Sequence, residues 1–281
     1  MLFRSGYYNG IIDEVNNLTV PFLDRACFFG DGVYDACYCK NSKVFTLDEH
    51  LRRFFFSAKM VDIVIPLEYD DLKKLIISLA KKVEGVESIV YFQVTRGTGM
   101  RKHSFPTKKG NLWISITPKK ITDREKRFNL TSVVDNRYLM CNVKTLNLLP
   151  NVLASNYAEK NNCDEAVFIR DGFVTECAHS NIHLLKNNVL FTAPCDEKIL
   201  AGIARSHLIT ACKKIGISVK EQAFSYDDIL TCDELIVTSA GTFCTPCCSI
   251  DGKKIGGNAP LIINLLQTEL YNEYYEFCKL P

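Results

Sequence analysis

The sequence predicts a mixed α+β protein in which a small domain precedes a larger, strand-rich domain. One observation is the polar, highly charged segment PKKITDREKRFN near residues 118–128, which has the composition of a linker. The other is a change of pattern, because helices and long strands precede this segment and short hairpins follow it. We therefore predict a small α+β domain at residues 1–118, a linker at 119–127 and the larger domain at 128–281.

Before the linker, the pattern predicts two helices and then two strands. In KNSKVFTLDEHLRRFFFSAKMVDI, which opens with a turn, the residues that fall on one helical face are Leu51, Phe54, Phe55 and Ala58. PLEYDDLKKLIISLAKKVEG predicts a second helix, with a proline near its start and a glycine after its end. SIVYFQVTRGTG and NLWISITPK are apolar and β-branched, which predicts two strands around the loop GTGMRKHSFPTKKG.

After the linker, strands alternate with helices. NLTSVV predicts a strand, and PNVLASNYAEKNN predicts a helix with a proline in its first turn. Turn residues predict three hairpins, about Asp171-Gly172, about Asn187-Asn188 and within CSIDGKKIG. GIARSHLITACKKIG predicts a helix, DELIVTSAGT a strand that enters a glycine turn, and PLIINLLQTELYNEYYEFCKL a closing helix.

Composition excludes several classes of partner. The 281 residues carry a formal net charge of only +2, so we expect binding neither to nucleic acid nor to an anionic membrane. No stretch reaches the roughly 18 consecutive apolar residues of a membrane span. MLFRSGYYNG lacks the apolar core of a signal peptide, and thirteen cysteines in such a chain are typical of reduced thiols. We therefore expect a cytoplasmic protein.

Two arrangements that could bind a metal are weak. Cys244 and Cys247 form a C-x-x-C pair, but no second pair lies at a zinc-finger spacing, and a hairpin rather than a helix follows. His179 and His183 are four residues apart, but SNIHLL predicts a strand, which separates them by about 13 Å. We therefore predict no metal site.

Three other features leave alternatives open. Lys144 is the one lysine of CNVKTLNLLPNVLAS, and the pattern alone favours a solvated side chain at a strand end. The cluster Arg101, Lys102 and His103 is either a solvated loop tip or a clamp for a carboxylate. The glycine turns in ILAGIARSHL and TSAGT suit a phosphate, although many helices begin after a glycine.

Taken in order, the motifs of this chain resemble those of the fold-type IV pyridoxal-phosphate enzymes. This group includes D-amino acid aminotransferases, branched-chain aminotransferases and aminodeoxychorismate lyases. The matching motifs, which span nearly the whole chain, are FFGDGVYD (28–35), DEHLRR (48–53), VYFQVTRGTGMRKHSFP (90–106), VKTLNLLPNVLAS, DGFVTECAHSNIH, ILAGIAR and TSAGTFCTP. The resemblance implies pyridoxal 5'-phosphate as cofactor and a two-domain fold whose larger domain is strand-rich and barrel-like.

The resemblance also assigns roles to residues. Lys144 matches the lysine that forms a Schiff base with the cofactor and moves the substrate proton, and such an amine must be partly desolvated to be neutral near pH 7. Glu176 matches the carboxylate that faces the pyridine nitrogen, and Leu200 the apolar residue that packs on the ring. The residues that match the phosphate site are Arg53, Gly202, Ile203, Ala204, Ser239 and Ala240.

Some positions depart from the family pattern. Ala204 and Ala240 stand where these enzymes often carry hydroxyl groups for the phosphate, although Ser239 and Thr242 are near in sequence. Ala178 and His179 stand where the D-amino acid enzymes often have serines. These departures bear on cofactor affinity and on the substrate side of the site, and not on the reaction type.

For the substrate, the resemblance implies a D-amino acid, such as D-alanine, D-glutamate or D-aspartate, and a 2-oxo acid. Arg101 and His103, with Tyr34, match the carboxylate-binding set of the D-amino acid aminotransferases. The resemblance also implies a homodimer in which the loop that carries Arg101 and His103 reaches the active site of the other subunit. The alternatives are a branched-chain L-amino acid aminotransferase, an aminodeoxychorismate lyase and a non-catalytic relative, and retained Lys144 and Glu176 argue against the last.

Overall fold

The computed structural model describes residues 4–83, 85–106 and 109–279, which form two compact units. The first unit comprises Met1–Ile121, Val143–Asn147 and Tyr274–Pro281, and the second comprises Thr122–Asn142 and Leu148–Glu273. Residues 1–3, 84, 107–108 and 280–281 lie outside the described residues. These residues include the start of the predicted small domain, one residue of the predicted second helix, two residues of the basic loop and the end of the predicted last helix.

This grouping differs from the predicted domains in segments 143–147 and 274–281, which were predicted in the larger domain, and it divides the predicted linker 119–127 after Ile121. Residues 143–147 join the first unit because Thr145 forms a bridge with Val33 and the Leu146 amide donates to the Gly32 carbonyl at 3.0 Å. The helix end joins it because the Tyr274 hydroxyl donates to Glu87 at 2.8 Å. Neither pairing has a local sequence signal, since its partners are more than 100 residues apart.

The first unit is built on a six-stranded antiparallel sheet. Its strands are β1 Ser5–Tyr8, β2 Ile11–Glu14, β3 Gly32–Lys40, β4 Lys43–Val44, β5 Ser88–Thr95 and β6 Asn111–Pro118. They lie in the order β2-β1-β6-β5-β3-β4. The helices are α1 Arg25–Phe29, α2 Leu47–Met60 and α3 Tyr69–Ala80, with a 3₁₀ turn at Val15–Asn17. The predicted α2, α3, β5 and β6 are confirmed, whereas α1 and β1 to β4 were not predicted.

One face of this sheet packs against α2 and α3, and the other carries polar and aromatic residues. Strand alternation produces the division, because successive side chains point to opposite faces. The core residues are Leu51, Phe54, Leu72, Ile76, Val90, Phe92, Val94, Leu112, Ile114 and Ile116. Phe54 of α2 meets Phe92 of β5 edge-on, with ring centroids 5.0 Å apart. The same alternation places Tyr34 and Asp35 on opposite faces of β3.

The second unit is built on a nine-stranded mixed sheet, which confirms the predicted α+β class. Its strands are β7 Phe128–Val134, β8 Glu165–Arg170, β9 Phe173–Cys177, β10 Asn181–Lys186, β11 Val189–Thr192, β12 Ser218–Glu221, β13 Glu234–Ser239, β14 Thr242–Ile250 and β15 Lys253–Lys254. The order is β12-β11-β10-β13-β14-β7-β8-β9, and β15 pairs with β14. The helices are α4 Leu149–Lys160, α5 Ile203–Lys214, α6 Tyr226–Leu230 and α7 Pro260–Cys278.

Turn chemistry sets the hairpins of both units. The three predicted hairpins are confirmed as β8–β9, β10–β11 and β14–β15. Both central residues of each turn have positive φ, as a two-residue hairpin with matching twist requires. The values are 52° and 82° at Asp171-Gly172, 51° and 59° at Asn187-Asn188, and 48° and 74° at Asp251-Gly252. Asn9-Gly10 joins β1 to β2 in the same way, and this Asn-Gly signal was missed.

Three of the four candidate metal and redox residues lie on strands, and His179 lies in the bend between β9 and β10. Cys244 and Cys247 are both buried in β14, and burial raises the pKa of each thiol. His183 lies on β10, as predicted, whereas the exposed His179 has its Nδ1 2.9 Å from Glu165. Within residues 4–83, 85–106 and 109–279, no group of three or more His, Cys, Asp or Glu side chains could hold a metal ion. No helix in these ranges is long and apolar enough to cross a membrane.

His183 is buried at the middle of the second sheet and links three strands. Its Nδ1 lies 2.9 Å from the Thr192 hydroxyl of β11, and its Nε2 lies 2.9 Å from the Thr238 hydroxyl of β13. Burial, with the positive charge of Arg205 in addition, lowers the pKa of His183 from 6.5 to about 3. The imidazole is therefore neutral in the folded protein at any pH near neutrality.

His183 should make the second unit sensitive to mild acid. The unfolded chain takes up a proton at this residue below pH 6.5 and the folded chain does not, so the stabilisation is complete above pH 6.5 and decreases as the pH falls towards 3. The free energy of unfolding should decrease through this residue by up to about 1.4 kcal/mol per pH unit. Urea unfolding between pH 7.5 and 5 measures it, with His183→Gln as a variant that keeps an amide for both threonines. Parallel pH curves for the two proteins would contradict the assignment.

Candidate active site

Lys144 lies in the first unit, where hydrogen bonds fix its backbone on two sides. Its carbonyl accepts from the Tyr34 amide of β3 at 3.0 Å, and its amide donates to the buried Ser57 hydroxyl of α2 at 3.2 Å. A glycine is needed at residue 32, since a Cβ there would lie 2.8 Å from the Val94 carbonyl oxygen and 2.6 Å from Leu146 Cδ1. The segment that carries Lys144 is thus held along the start of β3.

The Lys144 side chain is half-buried and lies against an aromatic pair. Its Nζ is 4.4 Å from the centroid of the Tyr34 ring, which is close enough for a cation–π contact when the amine is charged. Tyr34 in turn stacks on Tyr91, with ring centroids 5.4 Å apart. The two tyrosines give the amine a defined position beside an aromatic wall.

Asp35, the next residue of β3, points to the opposite face and is fully buried under α2. Arg53 donates to both carboxylate oxygens, from Nε at 2.8 Å and from Nη2 at 2.7 Å, and His50 Nδ1 lies 2.7 Å from Oδ1. Burial alone would raise the pKa of Asp35, but Arg53 and His50 hold it well below its usual range. Burial lowers the pKa of His50, while Asp35 opposes this effect.

Arg53, predicted at the phosphate, is therefore a partly buried guanidinium whose planar fork is matched by Asp35. Asp35 and His50 were missed by the sequence analysis. One signal was available: a carboxylate in a position of β3 that alternation assigns to the core, followed by His50 and Arg53 at helical spacing on one face.

The predicted basic loop brings Arg101 and His103 together on one ring. The Arg101 guanidinium carbon is 5.2 Å from the centroid of Phe29, and the His103 ring is 5.4 Å from the same centroid. Both side chains are exposed. Tyr34, the third predicted member of this set, is placed beside Lys144 and Tyr91.

In the second unit, Glu176 lies near the end of β9 as a buried carboxylate that accepts hydrogen bonds at both oxygens. Arg137 Nη1 donates a short hydrogen bond to Oε1, and Oε2 accepts from the Leu200 amide at 3.0 Å and from Asn181 Nδ2 at 3.1 Å. The guanidinium and these uncharged donors stabilise the negative charge of Glu176 where it stands.

Arg137 is held rigidly behind Glu176. Asp135 accepts from its Nε and its Nη2, both at 2.9 Å, and the guanidinium carbon lies 4.3 Å from the Phe168 ring centroid. Burial would raise the pKa of Asp135, but the hydrogen bonds from Arg137 lower it to about 2. Asp135 and Arg137 lie in an irregular segment after β7 and carry no motif, so the sequence did not predict them.

Asn181, also missed, connects Glu176 to the start of α5. Its Nδ2 donates to Glu176 and to the Leu200 carbonyl, the latter at 2.9 Å. Its Oδ1 would lie 1.9 Å from a Cβ at residue 202, so Gly202 has to be a glycine. Gly202 has no side chain to cap α5, and the amides of its first turn, at Ile203 and Ala204, have no intrahelical partner.

The second glycine turn lies between β13 and β14. Ser239 ends β13 and pairs with Thr242, and the turn residues are Ala240 and Gly241. Thr242 Oγ1 lies 2.8 Å from Thr122 Oγ1, so the hydroxyl that could replace a missing phosphate ligand already has a protein partner. β10 pairs with β13 so that Asn181 faces Thr238, the residue before Ser239.

Each unit, taken by itself, has residues whose chemistry fits a part of pyridoxal phosphate. Glu176 is a fixed anionic acceptor for a pyridine N–H, and the uncapped start of α5 offers amide donors for a phosphate. The cradle formed by Gly202 and Asn181 excludes any Cβ. In the first unit, Lys144 supplies a positioned amine, and Arg53 a fixed cation.

Comparison with known proteins agrees with this fit. The model of the amino-transferase class IV family matches residues 32–250. The D-alanine aminotransferase of Bacillus licheniformis is 35% identical over 269 residues, which are 94% of this chain and 95% of that protein. The D-alanine aminotransferase of Listeria monocytogenes serotype 4b is 38% identical over 269 residues, which are 92% of each chain.

Solved structures share the fold at lower identity. The branched-chain aminotransferase of Thermoproteus uzoniensis superposes with a TM-score of 0.87 at 20% identity and covers 97% of this chain and 96% of its own. The Escherichia coli branched-chain enzyme gives a TM-score of 0.85 at 21% identity, with 97% and 93% coverage. The chain therefore belongs to the amino-transferase class IV family, whose members are pyridoxal-phosphate enzymes of fold type IV.

Proposed function

We propose that this aminotransferase moves the amino group of a D-amino acid, such as D-alanine, D-glutamate or D-aspartate, to a 2-oxo acid. The observation that carries the proposal is the joint packing of Arg101 and His103 on Phe29, which presents a guanidinium and an imidazole from one loop. The D-alanine aminotransferases, at 35–38% identity over nearly the whole chain, support the same substrate class. The branched-chain enzymes, at 20–21% identity, support the fold alone.

We propose Lys144 as the residue that binds the cofactor and transfers the proton. When bound, pyridoxal phosphate supplies an electron sink for the pair of electrons left at the substrate Cα. The Lys144 amine would take the proton from the substrate Cα as general base and would deliver it, as general acid, to the cofactor carbon that keeps the amino group. Its backbone bonds to Tyr34 and Ser57 limit the positions of Nζ, so the base is oriented before the substrate binds.

We propose that Glu176 holds the proton on the pyridine nitrogen. Arg137, Asn181 and the Leu200 amide stabilise the carboxylate as an anion, and an anion at that position favours the protonated ring. Leu200 would pack on the ring. The phosphate ligands would be the amides of Ile203 and Ala204 after Gly202, the turn at Ser239 and Ala240, and Arg53, whose orientation Asp35 sets.

Handedness follows from which groups of the substrate are fixed. Tyr34, Arg101 and His103 would hold the α-carboxylate, and the Cα–H must face Lys144. With these two substituents and the amino group placed, the side chain has one remaining direction, so one enantiomer reacts.

We further propose a homodimer. Four residues of α4 form an exposed apolar stripe at helical spacing, namely Leu149, Val152, Leu153 and Tyr157. An exposed patch of this kind is typical of an interface.

We also propose a cytoplasmic location, which is supported by the thirteen cysteines, all of them free thiols in the described ranges.

Lys144→Ala should abolish transamination while the protein still folds. Loss of the proton-transfer group alone should lower turnover by a factor of about 10²–10⁴, and loss of the cofactor's covalent attachment lowers it further. Pyruvate formation from D-alanine and 2-oxoglutarate measures it, with Lys186→Ala as the control, because Lys186 is a half-buried lysine that contacts Thr231. Near-normal turnover with a native melting curve would refute the role of Lys144.

The substrate panel tests handedness. In single-turnover half-reactions of the cofactor-loaded enzyme, D-alanine and D-glutamate should react faster than L-leucine and L-glutamate. Arg101→Ala should raise KM for D-alanine about tenfold or more, because a charge-assisted contact to the carboxylate is lost, whereas Lys102→Ala should change it little. Faster reaction of the L-amino acids would favour the branched-chain alternative instead.

The homodimer is tested by sedimentation equilibrium at assay concentration. The active enzyme should have about twice the 31.8 kDa mass of one chain, and Leu153→Glu in the apolar stripe should weaken the association. Lys160→Glu, at the polar end of the same helix, is the control for added negative charge. An active species of 31.8 kDa would remove the proposal.

A further inference from the structure

We infer that Arg25 is a positioning residue that fixes the backbone beneath Arg101 and His103 and thereby sets the affinity for the substrate carboxylate. The inference rests on the proposed function, in which this loop binds that carboxylate. Arg25 opens α1, is almost completely buried, and has no contact with the substrate assigned to it.

The Arg25 guanidinium holds the loop by its main chain. Nη1 donates to the Lys102 carbonyl at 2.5 Å and, more weakly, to the Ser104 carbonyl at 3.3 Å. These two carbonyls flank His103 in sequence. Nε of the same side chain donates to Asp31 at 2.7 Å, so the guanidinium is itself fixed in direction.

Phe29, one helical turn after Arg25, forms the surface on which the loop side chains rest. The Arg25 guanidinium carbon is 4.8 Å from its ring centroid, and the Arg101 guanidinium carbon is 5.2 Å from the same point. The His103 ring lies 5.4 Å away. The short helix α1 thus contacts the loop in two ways. Arg25 holds the loop backbone, and Phe29 supports the loop side chains of Arg101 and His103.

Asp31 connects this anchor to the body of the first unit. It accepts from Arg25 and also from Arg96 Nε at 3.0 Å, and Arg96 donates to the Val61 carbonyl at the end of α2 at 2.7 Å. The Arg96 guanidinium carbon lies 3.6 Å from the centroid of Phe105, which follows the two carboxylate-binding residues. The loop is therefore attached on both sides of His103.

This attachment matters because the loop is exposed from Arg101 to Phe105. An exposed loop that is free to move loses conformational entropy when it closes on a ligand, and a loop that is already held loses less. Lysine cannot replace Arg25 here, because a single ammonium lacks the planar fork that reaches a carboxylate and a carbonyl in different directions.

The test makes two measurements on the variants Arg25→Lys and Phe29→Leu. The control is Lys102→Ala, which removes a charge from the loop but keeps the Lys102 carbonyl that Arg25 binds. Hydrogen exchange of the peptide spanning residues 97–106, read by mass spectrometry, should be about tenfold faster in Arg25→Lys than in the wild type and unchanged in Lys102→Ala. In the cofactor-loaded enzyme, KM for D-alanine should rise about tenfold while kcat changes less than twofold, since ground-state positioning of the carboxylate is what is lost.

Phe29→Leu keeps the Arg25–Asp31 pair and should raise KM with little change in loop exchange. If Arg25→Lys does not fold, Phe29→Leu still tests whether the Phe29 ring supports Arg101 and His103. An unchanged KM in Phe29→Leu would then overturn the inference. Unchanged loop exchange in a folded Arg25→Lys would refute the anchor whether or not D-amino acids are the substrates. Faster exchange with an unchanged KM would refute the link to carboxylate binding. If no D-amino acid reacted with the wild type, the proposed function would fail, while hydrogen exchange would still decide whether Arg25 anchors the loop.

Discussion

Pairs of a carboxylate and an arginine, largely removed from water, fix the geometry of both units of the protein. In the first unit, Asp35 is matched by Arg53, and Asp31 by Arg25 and Arg96. In the second unit, Asp135 pairs with Arg137 in the same way and orients it towards Glu176. Breaking such a pair leaves one charge buried without its partner, which is strongly destabilising. Each pair therefore fixes a direction as well as a charge.

Because successive side chains of a β-strand point to opposite faces of the sheet, adjacent residues of β3 make different contacts. Tyr34 and Asp35 are adjacent in β3, so one faces the Lys144 amine and the other faces α2. The residue that contacts the lysine and the residue that orients Arg53 are thus separated by a single peptide bond. Moving the register of β3 by one residue would exchange the two faces and lose both contacts.

The sequence predicts this fold best where the signal is local. Asp171-Gly172 and Asn187-Asn188 determine their turns through backbone conformation alone, and both hairpins are present. The contacts that shape the candidate site are distant: Arg137 and Glu176 are 39 residues apart, and Arg25 and the Lys102 carbonyl are 77 apart. Single-sequence patterns carry no signal for such pairs. Lys144 shows the difference, because its pattern favours a solvated side chain, and only the resemblance of ordered motifs indicated a chemical role.

The short segment Val143–Asn147 also limits how this protein can be divided. It belongs to the first unit, although the chain on either side of it belongs to the second, and so does the helix end from Tyr274 onwards. A gene fragment that ended at Ile121 would leave the Tyr34 amide and the Gly32 carbonyl of β3 without their partners from this segment, and would omit Lys144. Neither unit is a continuous stretch of chain. Recombination at a single crossover point could therefore not exchange one unit intact between relatives, and the two units must be inherited together.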